Sequence, residues 1–158
     1  MFGKVLVGFD GSAHAHRAID AAVEIAGRFQ AALTIAVVRP PESEEAAGAL
    51  EMLYPLGDDA TPLGIVLERA KARALAKGAA SVESVVLRGN VVDVLIGFLE
   101  RQHFDLAIVG SRGLSTGRRL LLGSVSSALV DRAPCPVMVV RPSRKGPARP
   151  GPKPTGGT

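Results

Sequence analysis

Gly110-Ser111-Arg112-Gly113, followed after nine residues by Gly123-Ser124, is a spacing of residue types suited to holding the phosphates of a nucleotide. The segment opens where the apolar run Leu106-Ala107-Ile108-Val109 stops and closes where an amphipathic helix begins, so it joins a strand end to a helix N-terminus. Glycine lets a ligand approach the main chain, and the first turn of a helix offers unpaired N–H groups at the positive end of its dipole. Gly113 and Gly123 are candidates to expose N–H groups there, and Ser124 and Ser126 to add hydroxyl donors. Taken alone, the segment also reads as a solvated glycine loop. A second glycine-bearing turn, Asp10-Gly11-Ser12, follows the apolar run Val5 to Phe9. The competing reading is that Asp10 and Ser12 cap the first helix and Ser124 the fourth.

Other chemistry-bearing residues carry less. His14 and His16 lie two apart on a helix and do not face each other, which argues against a metal pair. His103 falls at a helix end, where the dipole favours an imidazolium. Cys135, between Pro134 and Pro136, has no evident cationic neighbour and reads as a turn or strand residue rather than a nucleophile. Arg118 and Arg119 read as solvated loop cations. The spacing G-x-x-x-x-G-K-[ST] is absent, so no lysine is placed to follow a transferred phosphoryl group. Occupancy rather than turnover is the expectation, with no catalytic residue named.

These turns must be positioned by a scaffold, and the chain alternates strand and helix patterns. Val5 to Phe9, Leu33 to Val38, Val82 to Leu87, Leu106 to Val109 and Val137 to Val140 are apolar runs of the kind covered on both faces in a parallel sheet. Ala15, Ile19, Ala22, Ala26 and Phe29 form one helical stripe, with Ser12 as its N-cap. A second helix is predicted over 62–77, ended by Gly78. A third is predicted over 91–102, capped by Asn90, with Val92, Leu95, Ile96 and Leu99 inward. The fourth starts near Ser124 and stops before Pro134. Right-handed crossovers make this an α/β, doubly wound parallel sheet with helices on both faces. With strand order 3-2-1-4-5, strands one and four are neighbours whose connections leave toward opposite faces. Both glycine turns then meet at one crevice.

Composition fits a single domain with an aliphatic core. Of 158 residues 47% are apolar, yet there are only five Phe, one Tyr and no Trp, so Val, Leu, Ile and Ala must fill the interior. The net charge of +4 comes from the end of the chain. Four of the 19 Lys and Arg are Arg144, Lys145, Arg149 and Lys153, and the other 15 match the 15 acidic residues. A neutral body without a basic, aromatic-laced stripe argues against nucleic acid as a partner. One cysteine suits a reducing compartment, and neither a membrane span nor a signal peptide is legible, so a cytoplasmic location is expected. The 143–158 tail is rich in Pro and Gly and cannot bury enough surface to offset its ordering entropy, so disorder is expected there. Residues 40–61, with Glu42, Glu44, Glu45, Asp58 and Asp59, form a long connection of unassigned role.

Four blocks in order resemble the universal stress protein family, in its subgroup with the nucleotide motif G-x-x-G-x9-G-[ST]. They are Val5-Leu6-Val7-Gly8-Phe9-Asp10-Gly11-Ser12, 105–114, Leu122-Gly123-Ser124-Val125, and Cys135-Pro136-Val137-Met138-Val139-Val140. The resemblance covers residues 1–142 and implies a Rossmann-like (adenine nucleotide alpha hydrolase-like) domain that binds ATP, or AMP or cAMP, and forms a homodimer. It places adenine against the main chain at Val38 and beside Gly8, and Asp10 near the ribose or a phosphate-bound Mg2+. Gly110, Ser111, Arg112 and Gly113 fall on the ribose and phosphate loop, and Gly123, Ser124, Val125 and Ser126 on the second phosphate turn. The chain departs from the family at Val37, where histidine is common, and at Arg88-Gly89-Asn90-Val91, where a glycine followed soon by proline is common. The function implied is a nucleotide-binding stress or signalling protein acting as a ligand-biased dimer. The alternatives are a slow ATP hydrolase or phosphotransferase with Asp10 holding a metal, and a nucleotide-free interaction domain. Pairing of the edge strand 137–141 with its copy is the expected dimer contact.

Overall fold

Side chains alternate in direction along a strand, so an unbroken apolar run is stable only where both faces of the sheet are covered. The computed structural model, which describes residues 1–39, 62–112 and 122–141, puts two such runs at the centre of a five-stranded sheet. In chain order the elements are β1 (Lys4–Phe9), α1 (Ala13–Phe29), β2 (Ala32–Arg39), α2 (Pro62–Ala76), β3 (Ser81–Arg88), α3 (Val91–Gln102), β4 (Leu106–Gly110), α4 (Ser124–Arg132) and β5 (Val137–Val140). All pairings are parallel and the strand order is β3-β2-β1-β4-β5, as expected. The 40–61 connection, Gly113, Arg118, Arg119 and the 143–158 tail lie outside the described residues.

Two cores result. Val5, Val7, Leu106 and Ile108 point to one face, where they pack with α1 and with Leu67, Ala70 and Ala74 of α2. Leu6, Ala107 and Val109 point to the other, against Leu95, Ile96 and Leu99 of α3 and Leu129 of α4. Alanines 15, 18, 22 and 26 line the buried side of α1, so its axis can come close to the sheet. Where α1 meets the end of α2, a Cβ on Gly27 would stand 2.5 Å from the Lys77 carbonyl oxygen, and glycine supplies the room. Two exposed ion pairs, Arg73–Asp20 and Lys77–Glu24, each at 2.6 Å, tie the same helices on the outside. Such surface pairs contribute about 0–1 kcal/mol each.

The helix signals hold in most places. The Ser12 side chain accepts from Ala15 N–H at 3.1 Å, and that of Asn90 from Asp93 N–H at 3.2 Å. Gly78 follows α2 with φ +98°, a conformation that favours glycine. Two expectations need correction. β3 and β5 are the edge strands of the expected order, so their runs are only partly covered rather than covered on both faces, with Val86 43% and Met138 38% exposed. Phe29 ends α1 half-exposed, stacked edge-to-face on Phe2 at 5.3 Å, rather than facing the core. Val92, Leu95, Ile96 and Leu99 face inward as expected, the last three buried and Val92 half-buried against the same core.

Candidate functional site

The crevice is visible in the strand registers. β1 and β4 pair from Val5↔Leu106 to Val7↔Ile108 and then part, although both strands continue. Phe9 goes on pairing with Val37 of β2, and Gly110 with Val140 of β5. The chain after β1 enters α1 on one face, and the chain after β4 leads to α4 on the other, so the gap opens at the carboxyl ends. Gly8 lies at the point of parting, where a Cβ would come within 3.2 Å of Val109 Cγ1. Val38 lies one residue beyond the last β1–β2 pair, still in register with Leu87 of β3.

Two turns separated by about a hundred residues meet across this gap. In the first, Asp10 Oδ1 accepts the Ser12 N–H at 2.9 Å around Gly11, whose φ is +83°. In the second, Ser111 and Arg112 follow β4. Ser12 Oγ donates to the Arg112 carbonyl at 3.5 Å, and His14 Nδ1 lies 3.0 Å from Ser111 Oγ. The Ser111 carbonyl accepts the Gly123 N–H at 2.7 Å and the Ser126 hydroxyl at 3.2 Å, which brings the start of α4 into the same cluster.

These contacts reassign several residues. The Gly123 N–H is already donated to Ser111, so it is not free for a ligand. Ser126 is 3% exposed and its single hydroxyl proton serves the carbonyls of Ser111 and Gly123, which makes it a brace in this geometry. The N-cap of α4 is Gly123, with no side-chain cap bond, so the capping reading of Ser124 does not hold and Ser124 is the first helical residue. The helical ladder of α4 begins with Ser127 N–H on the Gly123 carbonyl at 3.0 Å. The N–H groups of Ser124, Val125 and Ser126 therefore precede it, and they are the main-chain donors that a helix N-terminus offers an anion.

Gly110 has a purpose the glycine pattern did not reveal. A Cβ there would stand 2.7 Å from the carbonyl carbon and 2.8 Å from the Cβ of His14, so the glycine admits the first turn of α1 onto the end of β4. His14, discounted as half of a metal pair, joins the cluster through Ser111. Its place follows from sequence once strands one and four are set side by side, because the second residue of α1 must then overlie the end of β4. Among the described residues no three of His, Cys, Asp and Glu group as a metal site. Cys135 lies away from the crevice, and burial pushes its thiol above the usual range, consistent with an unreactive side chain. His103 is the C-cap of α3, at φ +54°. No helix among the described residues is long and apolar enough to cross a membrane.

The arrangement has known counterparts. Universal stress protein Rv1636 of Mycobacterium tuberculosis is 39% identical over 142 residues, covering 88% of this chain and 96% of that protein. UspA from Lactobacillus plantarum shares the fold with a TM-score of 0.76 at 24% identity, over 89% of this chain and 98% of that one. A universal stress protein solved in complex with cAMP matches at 34% identity and a TM-score of 0.65, over 90% of this chain and 98% of its own. The model of the universal stress protein family matches residues 1–141, a span that holds the whole sheet and both turns of the crevice. On that match and the 39% identity to a relative covered almost end to end, the chain belongs to the universal stress protein family.

Proposed function

We propose that this protein binds an adenine nucleotide, ATP or its relatives AMP and cAMP, in the crevice between β1 and β4, and acts in stress signalling as a dimer whose state the ligand biases. The observation that carries this reading is the start of α4. Its first three N–H groups stand beside the Ser111 turn, itself bonded to the turn after β1. Phosphates would take those donors, with Arg112 and Gly113 alongside, and adenine would lie against Gly8 and the Val38 main chain. The relative bound to cAMP supports an adenine ligand. Asp10 would be the carboxylate to meet a phosphate-bound Mg2+, an ion that commonly takes one or two carboxylates plus phosphate oxygens. Mass spectrometry of ligand released from gently denatured protein, with calorimetric titration of ATP, AMP and cAMP, tests the reading. Adenine nucleotide in the released fraction or saturable binding of one of the three supports it. The absence of both would overturn it.

For the dimer, β5 is paired on one side only among the described residues, and Met138 at its middle is 38% exposed. Pairing with a second copy would satisfy that open edge. Sedimentation at micromolar concentration is expected to give twice the 16.4 kDa chain mass, and Met138→Lys to give the monomer. A wild-type monomer would remove this part of the proposal without touching nucleotide binding.

A further inference from the structure

Ser111 is held by four bonds. Its N–H donates to the carbonyl of Val140, the last residue of β5, at 2.9 Å, and its carbonyl accepts from Gly123 and Ser126. Those three contacts come from the elements that flank its own turn. The fourth, at 3.0 Å between its Oγ and His14 Nδ1, comes from across the crevice and joins residues 97 positions apart. The parallel bridge, Ser12 Oγ to the Arg112 carbonyl, is 3.5 Å long and at the limit of a useful hydrogen bond.

We propose that His14 is a positioning residue that latches the turn after β4 to α1, and so sets the spacing between the Asp10–Ser12 turn and the N-terminus of α4. The inference rests on the reading of the crevice as a nucleotide site. Three observations carry it. The missing Cβ of Gly110 lets the backbone of His14 sit directly on the end of β4, which fixes where its ring begins. Ser111 is 2% exposed, so its hydroxyl depends on a protein partner rather than on bulk water. The carbonyl of the same residue receives the Gly123 N–H, so a displacement of Ser111 is passed to the first turn of α4.

The test compares His14→Ala, His14→Asn, Ser111→Ala and the double alanine variant, with ATP as the titrant. His14→Ala is expected to weaken ATP binding by about tenfold. His14→Asn should restore most of it, because the amide reaches the position of Nδ1. The double variant should bind no more weakly than either single alanine variant, since both remove one interaction. Amide hydrogen exchange supplies the second readout: Gly123, whose N–H is held by the Ser111 carbonyl, should exchange faster in His14→Ala and not in His14→Asn, with the α2 amides unchanged. Unaltered exchange at Gly123 in His14→Ala, or additive losses in the double variant, would overturn the latch. If wild-type protein takes up none of ATP, AMP and cAMP, the nucleotide reading fails, and the exchange data still decide the latch.

Discussion

Ser124→Asp is expected to leave the protein folded, with an unchanged or slightly raised melting temperature, while lowering adenine-nucleotide affinity on the order of 100-fold. The two effects have opposite signs because they read the same field. Ser124 is exposed, is the first residue of α4, and makes no cap bond in place of Gly123. A carboxylate there completes the helix dipole, contributing about 0.3–1 kcal/mol to stability. It also occupies the position where phosphate is proposed to bind, and like charges brought together there cost several kcal/mol. Ser124→Ala is the control. It keeps the N–H and removes only the hydroxyl, so affinity should change by no more than a few-fold. If calorimetry shows Ser124→Asp binding ATP as wild type does, phosphate is not bound at the start of α4.

The second expected result is a loss of stability from the smallest possible addition, Gly110→Ala. Its new Cβ would meet the carbonyl carbon of His14 at 2.7 Å and the carbonyl oxygen at 2.9 Å, both backbone atoms with no rotamer to change. The first turn of α1 must lift from the end of β4. Overpacking of this kind costs about 1–3 kcal/mol, the upper end being expected where backbone meets backbone. For a domain of this size that lowers the melting temperature by about 6–12 °C. Nucleotide affinity should fall as well, because the displaced turn carries Ser12 and His14. Two further substitutions separate crowding from loss of glycine as such. Gly27→Ala is equally crowded, at 2.5 Å from the Lys77 carbonyl oxygen, but lies in the last turn of α1, far from the crevice. It should destabilise without changing affinity at a temperature where the variant is folded. Gly3→Ala meets nothing closer than Asp105 Oδ2 at 3.4 Å and should be nearly silent. Thermal melts in which Gly110→Ala matches Gly3→Ala would show that α1 does not depend on this close approach.

Much of the scaffold was legible because its signals are local. Ser12 and Asn90 cap helices in the structure because a short polar side chain three residues before an N–H reaches it whatever the rest of the chain does. Val5 to Val7 and Leu106 to Val109 are central strands because an unbroken apolar run needs cover on both faces. The same reasoning overstated β3. Val82 to Leu87 reads like a covered strand, yet which strand lies at an edge is a property of the order, and Val86 is exposed for that reason. Phe29 likewise fits the stripe of α1 but sits where the helix runs out beyond the sheet.

The sequence by itself determined that two glycine-bearing turns exist, that each joins a strand to a helix, and that the strand types allow a doubly wound parallel sheet. Those properties depend on side-chain volume, backbone freedom and the period of the apolar residues, all of which are written along the chain. Only the tertiary structure decided how the donors at the crevice are used. The Gly123 N–H and the Ser126 hydroxyl turn inward to the Ser111 carbonyl, and Gly110 serves the close approach of His14. A donor takes the nearest acceptor of suitable geometry, and at a meeting of residues a hundred positions apart that acceptor is set by how β1 and β4 pair and part, which no local pattern encodes.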